Sequence, residues 1–80
     1  MSEEKTVAAP FPGVFYRRPD PESPPFVNVG DVVEAGTVVG LIEVMKMFQE
    51  IQAGASGHVT AVLVENEQAV DAGQTLLTVE

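Results

Sequence analysis

Lys46 stands alone between Met45 and Met47, in a chain of 80 residues that carries only four basic side chains. A lysine amine is mostly protonated near neutral pH. It becomes a nucleophile when another protein desolvates or deprotonates it against an activated acyl group. The chemistry such a residue suits is therefore acylation by a partner enzyme. The same residues also fit an ordinary surface lysine beside edge-packing methionines, and residue types alone leave both readings open. Nothing else in the chain offers an active site. The absence of Cys removes thiol catalysis, Cys-ligated zinc and disulfides. His58 has no His, Cys or Asp at ligand spacing and reads as structural or simply exposed. No Ser/His or Cys/His arrangement exists, so the sequence predicts a chain with no catalytic residues and no metal.

The other charges limit the partners. Twelve acidic residues give a formal net charge of -8, which argues against nucleic acid or an anionic membrane and leaves basic protein surfaces open. No apolar run approaches the roughly 20 residues that span a bilayer. The polar, acidic start from Met1 to Lys5 does not read as a secretory signal, so a cytoplasmic location is expected. Eighty residues, 45% hydrophobic, suffice for one small core.

The elements that must position Lys46 are strands. Short Val-rich runs broken by Gly, Asp and Asn lack a helical period, which predicts an all-β sandwich or flattened barrel. Candidate strands are Val7 to Ala9, Gly13 to Tyr16, Phe26 to Val27, Val38 to Met45, Met47 to Ala53, Gly57 to Val64, Ala69 to Val70 and Thr75 to Val79. Residues 1–8 read as a flexible acidic tail and residues 9–80 as the domain.

The chain also repeats itself. Val33-Glu34-Ala35-Gly36 matches Val70-Asp71-Ala72-Gly73, and Gly13-Val14 matches Gly57-His58-Val59. Two halves that cannot bury their apolar faces alone should pack about a pseudo-twofold axis. The first half is longer by about seven residues. The excess must fall in Arg17 to Pro25, whose four prolines suit a stiff protruding loop rather than a central strand. The repeat further predicts that Lys46 caps a hairpin at the pole opposite the C-terminus. With no Gly, Asn or Pro in Val44-Met45-Lys46-Met47, a type I turn is expected there.

Glu43-Val44-Met45-Lys46-Met47 resembles the biotinyl-lysine signature of biotin carboxyl carrier proteins, usually Glu-Ala-Met-Lys-Met. The likeness runs from about Pro10 to Glu80 and includes Gly13 to Arg17, Phe26 to Gly30, Ser56-Gly57 and Leu63 to Asn66. It implies a barrel-sandwich hybrid of two four-stranded antiparallel sheets, with biotin attached to Lys46 and Glu43, Val44, Met45 and Met47 around it. The loop from Arg17 to Pro25 resembles the thumb of acetyl-CoA carboxylase carriers. The implied partners are a biotin protein ligase, biotin carboxylase and a carboxyltransferase acting on an acyl-CoA, commonly acetyl-CoA in fatty acid biosynthesis.

Three departures mark the chain. Val44 replaces the usual Ala, Arg18 stands where a thumb threonine can contact biotin, and these 80 residues do not include the long Ala/Pro-rich N-terminal segment common in such carriers, which fits either a minimal stand-alone carrier or an excised domain. Arg18 could donate to the ureido oxygen or to a partner's carboxylate. Glu43 and Glu50 could help a ligase discriminate this domain, or be solvated carboxylates. Phe11, Phe15 and Phe26 suit core or thumb-anchoring roles. The rival readings are a lipoyl carrier domain of a 2-oxoacid dehydrogenase and an unmodified hairpin interaction module.

Overall fold

The structure, a computed structural model, describes residues 4–80. Eight strands follow in order: β1 (Lys5–Ala8), β2 (Gly13–Tyr16), β3 (Val32–Val33), β4 (Val38–Val44), β5 (Met47–Gln52), β6 (Gly57–Val62), β7 (Gln68–Val70) and β8 (Thr75–Val79). β-Branched residues fit a pleated, half-buried surface, and Gly, Asn and Asp between them turn the chain. The strands form two antiparallel sheets, ordered β1-β8-β6-β3 and β5-β4-β2-β7. Each strand gives one or more residues to a single core, among them Val7, Phe15, Val33, Ile42, Ile51, Val59, Val70 and Leu77.

Exchanging the first four strands for the last four converts one sheet order into the other, as the internal repeat requires. Hydrogen bonds repeat with it. The Ala53 N–H donates to the Thr37 carbonyl, and the Ala9 N–H to that of Gln74, both at 2.9 Å. The Glu34 N–H donates to Thr37 Oγ1 at 2.9 Å, and the Asp71 N–H to Gln74 Oε1 at 3.0 Å. Thr37 and Gln74 are 37 positions apart, whereas Ala9 and Ala53 are 44 apart. The seven-residue excess lies between these marks, in the proline-rich loop.

Two expectations change. Lys5 to Ala8 pair with β8 in a register from Lys5↔Val79 to Ala8↔Thr75, so the strand expected at Val7 to Ala9 begins earlier, at Lys5, among residues read as tail. Of the rest of the expected tail, Glu4 is exposed and accepts from the Thr60 hydroxyl at 3.1 Å, and residues 1–3 lie outside the described residues. Phe26 and Val27 form no strand, because their backbone is already engaged. The Phe26 N–H donates to the Arg17 carbonyl at 2.7 Å, and the Val27 carbonyl accepts from Arg17 Nη2 at 3.1 Å. The short strand comes later, at Val32–Val33, after a turn closed by the Asp31 N–H on the Asn28 carbonyl.

Candidate functional site

The ladder between β4 and β5 runs from Val38↔Gln52 to Val44↔Met47. Only Met45 and Lys46 connect the strands, and both are left-handed, with φ of 51° and 68°. This is a type I′ turn rather than the expected type I. A two-residue connection must match the twist of the strands it joins, and the mirror-image turn does so. Strand geometry thus overrides residue preference. The left-handed region costs a non-glycine residue about 1–3 kcal/mol, and such strain clusters at functional sites.

Two features hold the turn. Glu43 Oε2 accepts the Lys46 backbone N–H at 2.7 Å, so Glu43 is tied to the turn rather than merely solvated. Beneath it, β2 lies hard against the hairpin base. A Cβ on Gly13 would fall 2.5 Å from Ile42 Cγ2 and 2.7 Å from the Glu43 carbonyl oxygen. On this support Lys46 is exposed, between Met45 at 89% and Met47 at 63% exposure. Exposed unbranched thioether side chains make an adaptable apolar collar around the amine.

Alternation along β5 divides the surroundings into two sides. Met47 and Gln49 share a face with buried Ile51. With Phe11, Pro12, Val44 and Met45 they line an open apolar groove of about 500 Å³. Val44 is half-buried and packs against the core, so its extra bulk is absorbed below the tip instead of crowding Lys46. On the other face Phe48 lies against Tyr16, ring centroids 5.5 Å apart and planes tilted by 57°. This pair, with Arg18, Pro19 and Asn66, lines a cleft of about 370 Å³ under the thumb loop.

The thumb is built from its own polar groups. The Arg17 N–H donates to Asn66 Oδ1 at 2.8 Å, and the Arg17 carbonyl closes the loop on Phe26. At its tip Pro21 follows Asp20, and the Ser23 N–H returns to the Asp20 carbonyl at 3.2 Å. Pro presets the φ that the second position of such a turn needs. The Asp20 carboxylate accepts from the Ser23 hydroxyl at 2.8 Å and from the Glu22 N–H at 3.0 Å. These bonds, the Ser23 hydroxyl first, hold the Asp20 carboxyl below its ordinary range. Arg17 is thereby a structural residue. Arg18 is half-buried in the cleft, and its buried Nε has no hydrogen-bond partner among the described residues.

The structure therefore brings Glu43, Val44, Met45, Lys46 and Met47 together at one tip, while Arg18 lies on the Phe48 side. Phe15 is fully buried, and Phe11 and Phe26 are half-buried. His58 is exposed, and its N–H serves the Glu80 carbonyl at 2.8 Å. Glu50 is exposed on β5 opposite Leu41. Sequence reasoning missed Phe48 and Asn66 as neighbours of the thumb. The alternation after Met47 carried the signal for Phe48, whereas a loop-to-loop bond over 49 positions leaves no local trace. Among the described residues no three His, Asp or Glu side chains gather to hold a metal, and no helix is long and apolar enough to cross a membrane.

Residues 5–79 match the family model described as "biotin-requiring enzyme". The biotin carboxyl carrier protein of acetyl-CoA carboxylase from Chlamydia muridarum is 42% identical over 73 residues, covering 91% of this chain and 45% of that protein. The protein of the same name from Porphyra purpurea is 43% identical over 75 residues, covering 94% of this chain and 48% of that one. The chain thus spans just under half the length of these two relatives. Among solved structures, the urea carboxylase of Kluyveromyces lactis superimposes with a TM-score of 0.81 and 29% identity, over 100% of this chain and 6% of that one.

Proposed function

Because this chain belongs to the biotin/lipoyl family of biotin-requiring enzymes, we propose that it is a biotin carboxyl carrier in which Lys46 holds the cofactor through an amide. The observation that carries this reading is an exposed lysine on a strained two-residue hairpin, collared by exposed methionines. The site fits an attached biotin. The amine is accessible from the side of an incoming protein, and the turn is braced through the Lys46 backbone, which leaves the side chain free to extend.

In this reading a biotin protein ligase presents the acyl group as an adenylate. Lys46 Nζ, having lost one ammonium proton, attacks the acyl carbon and loses a second as the amide forms, keeping one N–H; the acyl–phosphate bond breaks and AMP leaves, and the positive charge at the tip is lost. The bound cofactor would supply a ureido nitrogen that takes up a carboxyl group and gives it back. The chain supplies position. The β4–β5 ladder and the packed Gly13 fix the root of the arm, so exchange between partners is tethered instead of diffusional. Met45 and Met47 offer adaptable apolar contact to each partner surface in turn.

The partners of this proposal are the ligase, a biotin carboxylase and a carboxyltransferase acting on acetyl-CoA or another acyl-CoA, with the chain itself non-catalytic and cytoplasmic. Arg18 belongs to the proposal as a thumb contact, its buried Nε, without a partner among the described residues, lying in the cleft beside Phe48. The test is co-expression with a biotin protein ligase and biotin, followed by intact mass and streptavidin binding. A biotin adduct supports the reading. A lipoyl adduct, or no adduct and no streptavidin binding, overturns it in favour of a lipoyl carrier or an unmodified hairpin module.

A further inference from the structure

In a two-residue hairpin the ladder ends at the flanking pair, here Val44↔Met47, and the N–H of the second turn residue has no ladder partner. That N–H belongs to Lys46, and Glu43 Oε2 takes it at 2.7 Å. The backbone of Glu43 is itself fixed from both sides, by Val14 on β2 and Phe48 on β5. A carboxylate anchored on a central strand thus reaches over a turn whose two residues are held left-handed without glycine. Glu50, six pairs of positions around the hairpin being shared by the same strands, makes no such return to the turn and projects from β5 into solvent.

We infer that Glu43 is a positioning residue for the acylation of Lys46, clamping Met45 and Lys46 in the left-handed turn that a ligase meets, rather than a charge the ligase reads directly. The inference rests on the proposed acylation of Lys46. Loss of the clamp lets the turn relax toward conformations that Met and Lys prefer, in which the amine is displaced from its braced position. What matters is then an acceptor oxygen at Glu43, not its charge. A residue at 45 that adopts the left-handed region freely should make the clamp dispensable.

The test uses four variants of the whole chain: Glu43→Gln, Glu43→Ala, Met45→Gly and the double variant Glu43→Ala with Met45→Gly. Initial rates of biotinylation by a biotin protein ligase are measured against carrier concentration. In the unmodified proteins, NMR reads the Lys46 amide shift against pH and the backbone couplings of Met45 and Lys46. The clamp predicts that Glu43→Ala lowers kcat/KM about fivefold, the worth of one net hydrogen bond. Glu43→Gln stays within about twofold of the parent chain, and the double variant within about twofold of Met45→Gly, by the same reasoning. The Lys46 amide should titrate with a single carboxylate in the parent chain and not in Glu43→Gln. Direct charge recognition gives the opposite pattern: Glu43→Gln as slow as Glu43→Ala, and no rescue by Met45→Gly. A Lys46 amide indifferent to carboxylate titration also overturns the clamp. Because the NMR arm needs no cofactor, it decides the clamp even if the chain accepts no biotin, an outcome that would overturn the carrier reading separately.

Discussion

Gly13→Ala isolates the support beneath the hairpin. The added methyl carbon would lie 2.5 Å from Ile42 Cγ2, 2.7 Å from the Glu43 carbonyl oxygen and 3.0 Å from Val44 Cγ2. Ile42 is fully buried and cannot swing away, and the carbonyl is fixed by the Val14↔Glu43 register. Relief therefore requires β2 and β4 to part. Overpacking of this kind costs about 1–3 kcal/mol, and a backbone contact that cannot yield puts it near 2–3 kcal/mol. For a domain of this size that lowers Tm by roughly 10–20 °C. Gly36→Ala is the matched control, because a Cβ there meets nothing within 4 Å. Thermal unfolding followed by circular dichroism, with urea unfolding for the free energy, measures both. A Gly13→Ala chain as stable as the parent, or lowered no more than Gly36→Ala, would refute the close approach of β2 to the hairpin base.

Asn66→Ala strips the acceptor from the half-buried Arg17 N–H and should destabilise the fold by about 1–2 kcal/mol, while Asn66→Asp, which keeps an oxygen, should lose less; urea unfolding checks both. Phe48→Ala removes the tilted contact with Tyr16 and should cost about 1 kcal/mol or less, since the Phe48 ring is half exposed; the same unfolding series measures it. The lowered Asp20 pKa means that its bonds to the thumb turn are fully present above the ordinary aspartate value of 3.8 and are lost as pH falls through the lower folded value. Ser23→Ala should raise the Asp20 pKa toward that ordinary value, as read by an NMR carboxyl titration.

Much of the architecture was legible because the chain is a duplication. The matched Val-x-Ala-Gly turns located the twofold, the spacing excess located the thumb, and both follow from counting residues. What escaped depends on geometry that counting does not carry. The type I′ turn is imposed by the twist of β4 and β5 against the preferences of Met45 and Lys46. Phe26 and Val27 have strand-forming side chains, but Arg17 claims their backbone from nine and ten positions away. The sequence predicts a strand from Val7, but Lys5 and Thr6 look like a tail until β8 offers them an edge. Lys46 itself was isolated by the charge census, yet its chemistry became specific only through the resemblance of its neighbours. The tie of Glu43 to the Lys46 N–H had no sequence signal beyond a separation of three residues.

The central claim is that Lys46 is the acylated residue, and intact mass of the parent chain beside Lys46→Arg, each co-expressed with a biotin protein ligase and excess biotin, tests it most directly. The account predicts one biotin adduct on the parent chain, mapped to the peptide containing Lys46, and none on Lys46→Arg. An adduct retained by Lys46→Arg, or found on Lys5 of the parent chain, would contradict it.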